Sequence, residues 1–199
     1  AAFRNPAFRW IALADPKAGR VDDFQIAVGS VVDAYQFKWT RHGGNFSFND
    51  LIKGKKIDEP SILNQLASGW KKLRTINPKE RIVVHLLTNE HPSTNDTLPF
   101  GELRPNSKHF AAFLDEAWFP ATRKPTGSEI AVPSHWQEAW ERLTKETGLD
   151  GEEFLEFLEC CKLEFGAVLP DTVSNDRLGS IFYEQDLRQV TERILEAIY

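Results

Sequence analysis

The chain contains no methionine and only two cysteines, which are neighbours, Cys160 and Cys161. Adjacent cysteines could close only a strained ring that proteins seldom use, so a disulfide-stapled scaffold is excluded and a reducing compartment, the cytoplasm, is expected. The five histidines (His42, His85, His91, His109 and His135) stand apart, and no Cys/His spacing of a zinc site exists. No apolar run is long enough to span a bilayer and no signal-peptide pattern is present, so no membrane association is expected. A G-x-x-x-x-G-K-[ST] phosphate loop is also missing. The absence of methionine even at position 1, with a strand-like pattern beginning almost at once, points to a piece of a longer chain.

What is present is an ordinary globular composition. With 199 residues, 41% hydrophobic and 12% aromatic, the chain can bury a substantial core. Its net charge of −5 hides an asymmetry. Lys and Arg outnumber acids fourteen to eight over residues 1–88 and are outnumbered ten to twenty-one over residues 89–199. A basic first half suits a polyanion such as nucleic acid, although a solvated surface has the same composition.

Hydrophobic patterning then divides the chain. Phe8 to Leu13 reads as a strand closed by the turn Asp15-Pro16-Lys17-Ala18-Gly19, with further strands at about 21–28 and 31–39. Ser47 is a candidate cap for a short helix carrying Phe48, Leu51 and Ile52. Pro60-Ser61 opens a longer helix in which Ile62, Leu63, Leu66, Trp70 and Leu73 recur at helical spacing until Asn77-Pro78. Its exposed face carries Lys71, Lys72 and Arg74. The run Arg81 to Thr88, apolar and β-branched, suits a central strand buried on both faces. A long loop over 89–104 precedes helices at about 107–118, 134–147 and 151–161, and the last 19 residues read as an amphipathic helix. Leu163 to Leu169 fits either strand or loop. The expectation is an α/β protein with a β-β-β-α-β core over 1–125 and a helical extension over 126–199, packed on that core or leading to a following module.

The stretch Asp33-Ala-Tyr-Gln-Phe-Lys-Trp-Thr-Arg41 carries the chemistry. Gln36 and Lys38, two apart on a strand, share one face, while Tyr35, Phe37 and Trp39 line the other. A hairpin through Gly29-Ser30 would bring Asp23, at the head of the preceding strand, beside them. A carboxylate (Asp23), a side-chain carbonyl (Gln36) and the Phe37 backbone carbonyl can hold Mg2+ or Mn2+, which tolerates a sparse protein shell completed by water and phosphate. Lys38 would stabilise charge on a reacting phosphate. Asp22 is a further candidate ligand if a bulge turns it inward. Asp23 is favoured because the apolar alternation starts immediately after it. Asp33, by parity, belongs to the opposite face and reads as a turn residue. Gln65 is a possible additional contact. Gln and Lys alternating with aromatics is also how any half-exposed strand looks, so the β-β-β-α-β context is what raises the pattern above the commonplace.

The motifs Val21-Asp22-Asp23 and Tyr35-Gln36-Phe37-Lys38-Trp39, with Ile62-Leu-Asn-Gln-Leu-Ala-Ser-Gly-Trp70 and Val83-Val-His-Leu-Leu-Thr-Asn89, resemble the PD-(D/E)XK nuclease superfamily in its Q-x-K variant. More narrowly they are similar to the Cap4-type endonuclease effector domains found at the N-termini of STAND ATPases and in other bacterial anti-phage systems. The resemblance covers about the first half of the chain. It implies a restriction-endonuclease-like mixed sheet and a metal-dependent endonuclease acting on double-stranded DNA. Asp23, Gln36 and Lys38 would occupy the catalytic positions, beside a covalently linked ATPase or sensor module and with possible homo-oligomerisation. Arg41, His42, Lys53, Lys55, Lys56, Lys71 and Lys72 are the cations expected to meet DNA phosphates. A catalytically degenerate nuclease fold serving as a DNA-binding or oligomerisation module is the alternative.

Overall fold

Gly29 and Ser30 close the first hairpin, and Gly29 sits at a φ of 58°, in the left-handed region that a residue without Cβ enters at no steric cost. That turn sets the register that follows. The computed structural model describes residues 7–13, 21, 23–54, 59–96, 109–123 and 131–167. Asp22, Lys55, Lys56 and the amphipathic stretch at the C-terminus lie outside the described residues.

The elements run β1 (Phe8–Leu13), β2 (Phe24–Val28), β3 (Val31–Lys38), β4 (Asn45–Phe46), α1 (Phe48–Ile52), α2 (Ile62–Ile76), β5 (Arg81–Thr88) and β6 (His91–Pro92). There follow α3 (Phe110–Phe113), a π-helical turn (Leu114–Trp118), α4 (Phe119–Thr122), a 3-10 turn (Ser134–Trp136), α5 (Gln137–Thr147), α6 (Gly151–Cys160) and β7 (Cys161–Glu164). Five strands form one mixed sheet in the order β1-β2-β3-β5-β7, so the chain is of the α/β class. β1, β2 and β3 pair antiparallel, whereas β3 with β5 and β5 with β7 pair parallel across helical crossovers. β4 and β6 make a separate two-residue pair.

Alternation along the strands decides what faces the helices. Val32, Ala34, Ile82, Val84 and Leu86 join Leu63, Leu66, Ala67, Trp70 and Leu73 of α2 in one buried cluster, which also takes in Trp136, Leu143, Phe154 and Phe157 from the later helices. The later helices and the early strands therefore share one core. The helix expected from 107 to 118 begins at Phe110 and continues through the π turn to Thr122. The Glu-rich stretch folds as the expected amphipathic helix, with Phe154, Phe157 and Leu158 buried. β7, left open between strand and loop, follows α6 without a connecting residue and becomes the sheet edge.

The helix ends follow simple capping chemistry. Ser61 accepts the Asn64 N–H at 3.1 Å, and Asp150 accepts the Glu153 N–H at 3.0 Å. Ser47 and Asp50 form a reciprocal capping box at α1. Ser61 is fully enclosed, so its hydroxyl has no water to fall back on once the helix forms. Ser61→Ala should lower the free energy of unfolding by about 1 kcal/mol, read from urea denaturation. An unchanged midpoint would show that the cap contributes nothing.

The face of α2 that carries Lys71, Lys72 and Arg74 is exposed, as the spacing required, and two of its cations meet acids of α6. Lys71 pairs with Glu153 at 2.9 Å and Arg74 with Glu156 at 2.7 Å, while the Arg74 guanidinium lies 4.5 Å from the centre of the Trp70 ring. Asn64 donates to the Glu146 carbonyl at 3.1 Å. The acids of α6 thus answer the cations of α2, each exposed pair contributing at most about 0.2–1 kcal/mol. Among the described residues no helix is long and apolar enough to cross a membrane. Cys160 and Cys161 are both free thiols, and burial pushes the Cys161 thiol far above its ordinary range, leaving it unreactive.

Candidate functional site

The β2–β3 register pairs Phe24 with Tyr35, so the residue before Phe24 faces the residue after Tyr35. Asp23 and Gln36 therefore meet across the ladder. Asp23 Oδ2 accepts from Gln36 Nε2 at 2.7 Å and from the Phe37 backbone N–H at 2.7 Å. A carboxylate oxygen taking two N–H donors is held in one orientation. In a strand the N–H and C=O of a residue leave on the same side, so the Phe37 carbonyl flanks this carboxylate.

Gln36 is 7% exposed, and its Oε1 has no hydrogen-bond partner among the described residues. A buried acceptor left unpaired costs about 1–3 kcal/mol, and a cation or an ordered donor would remove that cost. The amide is oriented by Asp23 so that this oxygen, not its NH2, is the unsatisfied atom. The donor set available to a metal is thus Asp23, Gln36 Oε1 and the Phe37 carbonyl, all hard oxygens that suit Mg2+ or Mn2+. Among the described residues no cluster of three His, Cys, Asp or Glu side chains forms a denser ligand set.

Lys38 follows Gln36 by two on β3, on the same face, and lines a cavity of about 300 Å3 with Lys53, Gln65, Asn49, Glu59 and Glu90. Gln65 is buried at the first turns of α2, its Nε2 donating to the Pro60 carbonyl at 2.7 Å. Asn49 Oδ1 is a second buried acceptor with no hydrogen-bond partner among the described residues. Asn89 ties the segment after β3 to the end of β5: its Oδ1 accepts the Thr40 N–H at 3.0 Å and its Nδ2 donates to the Thr40 carbonyl at 2.7 Å. That clamp fixes the exit of β3, beyond which Arg41 and His42 stand exposed in a turn.

The sequence-derived cations fare unequally. Lys53 lies on the cavity wall with Lys38, whereas Lys72 is exposed on α2 and Lys71 is engaged with Glu153. Asp22, Lys55 and Lys56 lie outside the described residues. Asp33 does turn to the opposite face, as parity requires, but it is a mid-strand residue and not a turn residue, and it bonds His85 at 2.9 Å. Glu59, Glu90, Asn49 and Asn89 were not singled out from sequence. Asn49 lies on the short α1, and the other three lie in connections after or before regular elements, where no periodicity marks a residue for a shared cavity.

No protein-family model matches this chain, and no curated protein or solved structure shows a significant match to it.

Proposed function

We propose that this chain is a metal-dependent DNA endonuclease domain built on a restriction-endonuclease-like core, serving as an effector in bacterial anti-phage defence. The observation that carries the reading is the cross-strand pairing of Asp23 with Gln36, with Lys38 two residues on along the same face and the Gln36 Oε1 buried without a partner. Asp23, Gln36 and the Phe37 carbonyl would hold Mg2+ or Mn2+. When bound, such an ion polarises a phosphoryl oxygen and makes an attacking water more acidic.

The remaining work falls to the chain's own groups. Lys38 places an ammonium where negative charge grows on the phosphate, and Lys53 extends positive charge along the cavity wall toward a backbone phosphate. Arg41 and His42, exposed beyond the Asn89 clamp, would meet the duplex outside the cavity. Glu59 and Glu90 add negative charge to the cavity that Lys38 lines, whose walls do not include Asp23, Gln36 or Phe37. Double-stranded DNA is the substrate on this reading, a linked ATPase or sensor module the source of control, and the cytoplasm the working compartment.

The test is nicking of supercoiled plasmid with Mg2+, with Mn2+ and with EDTA. Cleavage that requires the ion supports the reading. DNA binding that ignores the ion and never yields cleavage would favour a degenerate fold kept for binding. A charge-restoring substitution is a sharper probe. Gln36→Glu removes the amide donor from Asp23 and sets two carboxylates face to face, so the metal-free protein should melt earlier. With the extra anion, Mn2+ should bind on the order of tenfold tighter by isothermal titration calorimetry. Equal affinity in both proteins would rule out position 36 as a ligand.

A further inference from the structure

The sheet face turned away from Asp23 carries a second polar cluster, independent of the nuclease reading. His85, on β5, lies between its two neighbouring strands. Its Nε2 is 2.9 Å from Asp33 Oδ1 on β3, and its Nδ1 is 2.7 Å from Glu164 Oε1 on β7. The Tyr35 ring stacks on the imidazole at 4.2 Å and 15°. His85 is buried, being 9% exposed, while Asp33 and Glu164 are half-buried.

A neutral imidazole has one N–H and can donate to one carboxylate only, leaving the other facing a lone pair. The imidazolium donates to both. Two short contacts at once therefore call for the charged ring. Burial pulls the His85 pKa down, but the hydrogen bonds that its ring donates to Asp33 and Glu164, with their negative charge, outweigh it, and the result lies above the ordinary value of 6.5.

The strand held this way is the four-residue sheet edge. Immediately after it, the Gly166 N–H bonds the Glu90 carbonyl at 2.9 Å and the Ala167 N–H bonds the Thr88 carbonyl at 2.9 Å. Gly166 has a φ of 68°, and a Cβ there would stand 2.7 Å from His91 Cε1, so this close approach depends on glycine. Glu90 in turn lines the cavity on the other face. We propose that His85 is a proton-operated clasp: as imidazolium it ties edge strand β7 to β3 across β5, and on losing its proton it releases β7 and loosens the Glu90 wall of the cavity.

The groups that face the ring are Asp33 and Tyr35 from β3 and Lys162 and Glu164 from β7, Lys162 being its register partner. Trp118, Phe119, Thr122, Cys161 and Leu163 complete the surroundings, and burial pushes the Cys161 thiol far above the working range. Because the folded pKa is raised, the clasp is fully present below the unfolded value of about 6.5 and is lost as pH rises through the folded value.

Amide hydrogen exchange by NMR, corrected for intrinsic rates and followed from pH 5.5 to 9, tests this, with long-range imidazole 15N correlations reporting the charge of His85. Protection at residues 163–167 should fall at least tenfold more than at β2 over the range in which His85 deprotonates. His85→Gln should remove that step. An imidazole neutral at pH 5.5, protection that changes in parallel in β2 and β7, or a step that persists in His85→Gln would each overturn the clasp. If His85→Gln fails to fold, the wild-type titration of charge and protection decides alone.

Discussion

On the proposed nuclease reading, Lys38→Ala and Asp23→Ala should each reduce plasmid cleavage by about 10²–10³-fold, for different physical reasons. Removing Lys38 deletes a positive charge aimed at the phosphate from inside a partly closed cavity, a loss of the size seen when a single stabilising donor is taken from a charged transition state. DNA binding should weaken far less, because one phosphate contact among several is lost. Removing Asp23 acts on the ground state of the site as well. It strips the acceptor from Gln36 Nε2 and from the Phe37 N–H, so the amide is free to rotate and metal affinity should fall together with rate. Calorimetry therefore separates the two variants: Lys38→Ala keeps Mn2+ affinity near wild type, and Asp23→Ala loses it. If both variants cut as fast as the parent, the catalytic assignment is wrong. If both leave metal binding intact while only cleavage suffers, Asp23 positions Gln36 without ligating.

The second large effect is on stability. Phe113→Ala should cost about 3–5 kcal/mol, a substantial part of the about 5–15 kcal/mol that holds a typical domain together. Phe113 is wholly buried, and its ring meets Phe48 edge-on at 5.3 Å, Trp136 at 5.6 Å and Trp140 at 6.4 Å. Those three partners come from α1, from the 3-10 turn and from α5, so one ring joins segments that are far apart in the chain. A cavity there cannot be closed by moving a single neighbour, which places the cost toward the upper end. Urea denaturation checks it, and a loss below about 1 kcal/mol would mean that the aromatic cluster repacks freely.

These two predictions draw on different levels of the sequence. The pairing of Asp23 with Gln36 was legible because it depends on local rules: a glycine turn, a short antiparallel hairpin and a period of two. Given Gly29 and five residues of alternation on either side, there is little freedom left in which side chains face one another. The strand over Arg81–Thr88 and the helix capped by Ser61 were legible for the same reason, since each carries its own period and its own stop signal. Periodicity also gave the exposed face of α2, with Lys71, Lys72 and Arg74, but it says nothing about a second helix arriving beside that face. Glu153 and Glu156 lie 82 residues from the cations they meet.

By itself, then, the sequence determined the first three strands, the helix capped by Ser61, the strand over Arg81–Thr88 and the meeting of Asp23 with Gln36 across one tight turn. Only the tertiary structure decided that β7 closes the sheet beside β5, that Glu59 and Glu90 share a cavity with Lys38, and that His85 bridges Asp33 to Glu164. The reason is distance along the chain. Local geometry is set by backbone sterics and side-chain period within a few residues, whereas Glu164 reaches His85 from 79 residues away through packing that no short pattern encodes.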